Sequence, residues 1–350
     1  MSLRDEIFEQ PESARRQLAS STAAIDALVA RLRANPIDHV LIAARGTSDH
    51  AAIYGQYLFG VVNRLFVGLA APSIVSVYEV EPRVGRSLVV GISQSGASPD
   101  IVAVVAAARR QGAPTLAITN SPESPLGAAA EFVIDLAAGP ELAIAATKTY
   151  STSLLALARV SVALGSTEVA ANDPEAVAAL AQASRWIEAA LGLEAEIAAL
   201  AGRLAATDRC VIVGRGFEYA TAREWALKLK ELAQVFADPY SAADFLHGPI
   251  ALVQPGIPVL VLAPEGPASA GLADLLGDLR ARDVETLVLS DSAATRDLGT
   301  WSIALPAGVP EWLRPVVSIV PAQLFAYHLT LARGLDPDNP RSLSKVTRTV

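Results

Sequence analysis

Short apolar runs recur along the chain, each closed by a polar turn containing glycine or proline and followed by a stretch with apolar positions at helical spacing. "HVLIAARGTSDHAA" from His39 and "SLVVGISQSGASPDIVAVVAAARR" from Ser87 are two examples. Apolar runs this short, rich in valine, isoleucine and leucine, suit strands buried on both faces. Strands alternating with helices imply right-handed βαβ units and a mainly parallel sheet.

The pattern then repeats. "DHVLIAARGTSDHAA" from Asp38 is answered by "DRCVIVGRGFEYATA" from Asp208, 170 positions later. "LVVGISQSG" from Leu88 and "PVLVLAPEG" from Pro258 keep that offset, and "TLAIT" from Thr115 and "TLVLS" from Thr286 differ by 171. A spacing held through three strands indicates a duplicated domain. The expected fold is α/β, with two doubly wound domains over residues 36–165 and 205–333. A helical segment over 1–35 precedes them, an alanine-rich helical connector over 166–204 joins them, and a tail over 334–350 follows. Asn172-Asp-Pro174 marks a turn inside the connector region. The tail has no periodicity and reads as ordered or mobile.

Composition narrows the function. Of 350 residues, 52% are hydrophobic but only 5% aromatic, which suits aliphatic helices packed on parallel strands. A net charge of −8 argues against non-specific nucleic-acid binding, which needs a broad basic face. The single cysteine, Cys210, opens an apolar run and reads as a core residue. It excludes a disulfide framework within one chain, and the four histidines lack metal-ligand spacing. No metal or cofactor is expected. The mean hydropathy is +0.37, yet the longest apolar stretch, "LFGVVNRLFVGLAAPSIVSV", is broken by Asn63, Arg64 and Pro72. Together with a charged N-terminus, this predicts a soluble, cytoplasmic protein without a membrane partner.

Two stretches carry candidate chemistry. In "SQSGASPD", Pro99 suits the first position of a helix and Ser98 its N-cap, where the hydroxyl can accept from a helix amide. Ser93, Gln94 and Ser95 supply donors, Gly96 permits close backbone approach, and free helix amides add partial positive charge. Thr47 and Ser48 lie at the end of the preceding strand of the same unit. Such a loop is either an ordinary capped turn or an anion cradle. The sister turn "APEGPAS" lacks the counterparts of Ser93 and Gln94, so the fold does not require them, which favours a site in the first copy. The second stretch is "REWALKLKE". Glu224, Lys228 and Glu231 fall at i, i+4 and i+7, opposite Trp225, Leu229 and Leu232, as in a solvated ion-pair stripe or an acid-base set. His247-Gly-Pro follows, and the tail offers Arg341 and Lys345.

Taken in order, "RGTS", "SQSGAS", "ATKTY", "ALKLKE", "HGP" and "PRSLSK" resemble the sugar isomerase (SIS) family, in particular the isomerase half of glucosamine-6-phosphate synthases. The likeness runs from about Asp38 to Lys345. It implies flavodoxin-like three-layer α/β/α domains and a sugar phosphate as substrate. By position, Thr47, Ser48, Ser93, Gln94, Ser95 and Ser98 match the phosphate-binding residues. Glu231 matches the proton shuttle between sugar carbons 1 and 2, and Lys228 its neighbouring lysine. His247 matches the ring-opening histidine, which the family supplies across a homodimer. Lys345 matches the Schiff-base lysine, with Arg341 supporting it in the same tail motif. Ala97, Ala146, Trp225 and Asp244 depart from the synthase pattern. The synthase's N-terminal glutaminase domain has no counterpart here, so ammonia from glutamine is not expected. The resemblance therefore implies an isomerising deaminase, converting glucosamine 6-phosphate to fructose 6-phosphate and ammonia. The alternatives are another ketose-amine enzyme, such as a fructosamine-phosphate deglycase, and a non-catalytic sugar-phosphate sensor.

Overall fold

The computed structural model describes residues 2–166 and 170–345. Among the described residues there are ten strands: β1 (His39–Ala43), β2 (Phe66–Leu69), β3 (Ser87–Ile92), β4 (Thr115–Thr119), β5 (Phe132–Asp135), β6 (Arg209–Gly214), β7 (Phe236–Ser241), β8 (Val259–Leu262), β9 (Thr286–Ser290) and β10 (Trp301–Ala304). They form two five-stranded sheets, ordered β2-β1-β3-β4-β5 and β10-β9-β8-β6-β7. All the strand pairs are parallel. Read from its own first strand, the second sheet repeats the 2-1-3-4-5 order of the first. This is the doubly wound arrangement of flavodoxin-like folds.

The duplication extends to side-chain packing. In the helix Pro99–Arg110, Ile101, Val104, Val105 and Ala108 are buried at helical spacing and pack with Val89 and Ala117 of the first sheet. In the helix Leu272–Ala281, Leu272, Leu275, Leu276 and Leu279 do the same against Val259, Val261 and Val288. The period of 3.6 puts each set on one face, and burying each valine, leucine or isoleucine contributes about 1.5–3 kcal/mol. β3 is buried at every residue, as a strand covered on both faces must be.

By compactness the chain divides into two units. One holds Glu9–Glu141, Lys148–Ser184 and Ser344–Val350; the other holds Met1–Phe8, Leu142–Thr147 and Arg185–Leu343. Helices Leu3–Phe8, Gln10–Ala19 and Thr22–Ala34 precede β1, and Lys148–Leu164, Pro174–Leu191 and Glu194–Arg203 precede β6; residues 167–169 of the expected connector lie outside the described residues. Asn172 makes the expected turn with a positive φ of 55°. The start of the tail is ordered: Asp338 accepts the Leu3 amide at 2.6 Å, and Asp336 accepts from Asn339 Nδ2 at 2.8 Å.

The apolar stretch over residues 58–77 does not form one long element; it supplies a helix end, β2 and a short turn of helix. The helix long and apolar enough to cross a membrane is Glu311–Ala332 instead, with a mean hydropathy of 1.3. Its most apolar stretch is 78% buried within the protein, where the helix packs on Glu218–Lys228 and Glu194–Arg203, so it is a core helix. Cys210 is buried, and burial pushes its thiol pKa up to about 12.

Candidate active site

The reversal of strand order in the first sheet falls between β1 and β3. The loops leaving the carboxyl ends of those strands part there, which is where open parallel sheets bind ligands. Those connections are residues 44–46, which lead directly into the helix Thr47–Val61, and residues 93–98. All six predicted phosphate-binding residues therefore lie at one crevice of one unit.

The serine loop is built to a definite shape. Ser93 continues the ladder, its amide donating to Ile118 at 3.1 Å, and its hydroxyl and carbonyl both accept the Gly96 amide. The Gln94 carbonyl accepts from Asn120 N at 3.1 Å and from Thr119 Oγ1 at 3.3 Å. Gly96 has φ +62°, and a Cβ there would lie 1.9 Å from Ser124 Oγ. The close approach expected at this glycine is thus to the protein's own Ser124 turn.

Pro99 opens the helix as predicted, and Ser98 occupies the N-cap position. Its hydroxyl, however, makes no capping bond and lies 3.4 Å from Ser93 Oγ. The expectation that this serine caps the helix is therefore corrected: the hydroxyl is turned toward the loop. The Gln94 amide and the Ser48 hydroxyl have no bond among the described residues, and both residues are partly exposed.

Arg45 and Asp100 also belong to this crevice, and the motif pattern alone does not single them out. Arg45 Nε donates to Asp100 Oδ2 at 2.8 Å, joining the β1 loop to the helix that follows the β3 loop. The "RG" pair shared by both copies was the signal available for it.

In the other unit, Glu224, Lys228 and Glu231 form a trio rather than a solvated stripe. Glu224 is 0% and Lys228 1% exposed, and the opposite side, with Trp225, is buried as well. Trp225 packs edge-on to Phe325 at 5.4 Å between ring centres. Lys228 Nζ lies 2.5 Å from Glu231 Oε2 and 3.3 Å from Glu224 Oε1. Burial pulls the Lys228 pKa down, but the charges of Glu224 and Glu231 outweigh it and hold the ammonium above its ordinary range. The α-helix ends at Lys228 and continues as one π turn, Leu229–Ala233, which carries Glu231. Wide turns of this kind are frequent at functional sites. Glu231 is the member of the trio that remains partly exposed, at 23% of its side chain. The arrangement is a carboxylate open to a ligand, backed by a fixed cation.

His247 follows the short helix Ala242–Leu246 and is exposed. Arg341 is exposed and makes no ion pair among the described residues. Lys345 is placed on a partner the sequence analysis did not name: its Nζ donates to Glu141 Oε2 at 2.8 Å. Glu141, buried, also accepts the amide and hydroxyl of Thr149, at 3.1 and 2.8 Å. Glu141 lies just before the "ATKTY" motif, and that proximity was the only hint of it. Among the described residues, no three histidine, cysteine or acidic side chains come together as metal ligands.

A doubled 2-1-3-4-5 sheet, with a serine-rich loop at one switch point and a buried Glu–Lys–Glu trio, defines a duplicated, doubly wound α/β protein. The SIS domain profile matches residues 35–162 and 203–333. The chain belongs to the SIS domain family. It is 34% identical over 341 residues to the glutamine–fructose-6-phosphate aminotransferase (isomerizing) of Pyrococcus horikoshii, covering 97% of this chain and 56% of that protein. It spans about half the length of the curated relatives it matches. A Silicibacter pomeroyi crystal structure, whose phosphosugar isomerase assignment is itself provisional, superposes with a TM-score of 0.86 at 34% identity, over 97% of this chain and 100% of that one. A glucosamine-6-phosphate deaminase from Thermotoga maritima shares the fold, with a TM-score of 0.70 at 21% identity, over 96% of this chain and 100% of that one.

Proposed function

We propose that the protein is an isomerising deaminase of an amino-sugar phosphate, converting glucosamine 6-phosphate to fructose 6-phosphate and ammonia. The observation that carries this is the Glu224–Lys228–Glu231 trio. A carboxylate with one open face, held by a cation that stays protonated, suits repeated proton transfer between adjacent carbons. The sugar's phosphate is taken by Thr47, Ser48, Ser93, Gln94, Ser95 and Ser98. Hydroxyls, amides and a helix N-terminus bind an anion without a lysine.

His247 assists ring opening, and its exposure is what a residue offered to a second copy would show. A homodimer sharing this histidine is part of the proposal. Glu231 then moves the proton between carbons 2 and 1, and water hydrolyses the resulting imine to ketose and ammonia. Lys345 handles the carbonyl, and Arg341 supports the tail. An amine attacks only after losing its proton, and Glu141 is the carboxylate that touches Lys345.

Proton transfer of this kind also serves the reverse direction, in which ammonia is incorporated. Ala97, Ala146 and Trp225, which depart from the synthase pattern, bear on the sugar pocket and not on this direction. The deciding experiment offers purified protein a panel of hexosamine 6-phosphates and fructosamine 6-phosphates, scored for ammonia, ketose phosphate and free amino acid. Ammonia with ketose phosphate is the expected result. Amino-acid release alone would make it a deglycase, and no turnover with tight binding would make it a sensor.

A further inference from the structure

We propose that Arg45 is the cationic ligand of the substrate's phosphate, held in position by Asp100. This rests on the sugar-phosphate assignment of the same crevice. Arg45 belongs to the β1 loop, and Asp100 is the second residue of the helix after the β3 loop. A side chain joining them crosses the mouth of the switch point, where a ligand of an open parallel sheet sits.

The two groups are not an ordinary surface pair. Asp100 is wholly buried, whereas the Arg45 side chain is 48% exposed. Asp100 Oδ1 accepts the Ile101 amide at 2.9 Å, and the residue sits in the positive first turn of a twelve-residue helix. Much of its charge is therefore met by the backbone, which leaves the guanidinium only partly neutralised. Only Nε of Arg45 is bonded among the described residues, so both Nη groups are left for another partner. Two parallel N–H donors on one rigid edge match two oxygens of a phosphate, at charge-assisted strength.

The second copy supplies a control. Arg215 stands 170 positions after Arg45, and Ala270 the same distance after Asp100. Arg215 also reaches across its switch point, but it donates Nη1 to the Ala270 carbonyl at 3.0 Å. The bridge is common to both copies. The buried carboxylate that engages Nε and leaves the Nη edge open belongs to the first alone, in the copy that carries the serine loop.

The test is calorimetric titration of the full chain with fructose 6-phosphate and with inorganic phosphate at low salt. Arg45→Met is expected to weaken fructose 6-phosphate binding by about 10- to 100-fold, raising KM while kcat changes by less than about 3-fold. Asp100→Asn is expected to fall between Arg45→Met and wild type. Binding of Arg45→Met within about 3-fold of wild type, or a fall in kcat at unchanged KM, would overturn the role. Arginine modification of the wild-type protein reads the same point should the variant fail to fold. Fructose 6-phosphate should protect Arg45 and leave Arg215 reactive, and equal labelling of Arg45 with and without ligand would overturn the proposal. A wild-type protein that binds neither probe would instead overturn the sugar-phosphate assignment beneath it.

Discussion

The two switch-point crevices share a strand order and an arginine bridge, yet they are chemical opposites. In the first, the Ser98 hydroxyl is turned from its cap toward Ser93, the Gln94 and Ser48 side chains are unbonded among the described residues, and Arg45 keeps its Nη edge open. In the second, the chain fills its own crevice. The Glu311 carboxylate accepts the Ala268 amide at 3.4 Å, and Asp291 binds Arg314 at 3.0 Å and the Glu265 amide at 2.8 Å. A cavity of only about 10 Å³ remains beside Glu218, Glu311 and Arg314. One fold thus accepts either an open crevice or one filled by the chain's own carboxylates. Under the proposed function, the first copy binds the anion and the second carries the proton-transfer trio.

That division of labour can be broken by mutation. The largest effect is expected from Glu231→Gln, which should lower kcat by about 10²–10⁴-fold. Calorimetric binding of fructose 6-phosphate should be unchanged, and lost binding at intact kcat would erase the distinction between copies. Lys228→Met removes the cation shared by Glu224 and Glu231, and denaturant unfolding should show a loss of about 3–5 kcal/mol. A loss under about 1 kcal/mol would mean the trio behaves as a surface stripe after all.

Two further pairs compare the copies directly. Gly96→Ala forces a side chain into φ +62° and onto Ser124, at a cost of about 2–4 kcal/mol. Gly266→Ala is strained as well, at φ +153°, but its Cβ meets only the movable end of the Glu311 side chain at 3.0 Å, whereas that of Gly96→Ala also meets Ser124 Cβ at 2.5 Å, so thermal melts should show the larger loss for Gly96→Ala. Equal losses would contradict the tighter build of the first crevice. Ser93→Ala should raise KM by about 10- to 100-fold, the effect of one lost hydrogen bond to a charged ligand, whereas Ser269→Ala should leave KM unchanged.

The smallest effect tests the plug. Burial raises the Glu218 pKa against hydrogen bonds from Thr221 and Ser318. Its folded value lies above its unfolded one, so its contribution to stability is full below the unfolded pKa and lost as pH rises through the folded value. Glu218→Gln should flatten that fall in melting temperature as pH rises above the ordinary carboxylate range; an unchanged slope would assign it to other groups.

Much of this was legible in the residues. The offsets of 170 and 171 located the second βαβ unit strand by strand, because a duplicated sheet must keep its apolar runs in phase. "SQSGASPD" placed Pro99 at the start of a helix, because proline's fixed φ and missing amide suit that position. The reading of Glu224, Lys228 and Glu231 as one helical face held only as far as Lys228. A π turn has no spacing signature of its own, and the burial of Glu224 is set by what packs over it. Glu141 and Lys345 are 204 positions apart, a separation across which no local pattern acts.

The sequence by itself determined the repeated α/β architecture, the residues at the switch point and the helical spacing of Glu224 and Lys228, because each rests on local periodicity or turn chemistry. Only the tertiary structure decided which serine hydroxyl is turned from its cap, which carboxylate holds Arg45 or Lys345, and which of three charged groups stays open to a ligand. Those outcomes depend on burial and on contacts between distant segments, and such contacts are set by packing across the fold.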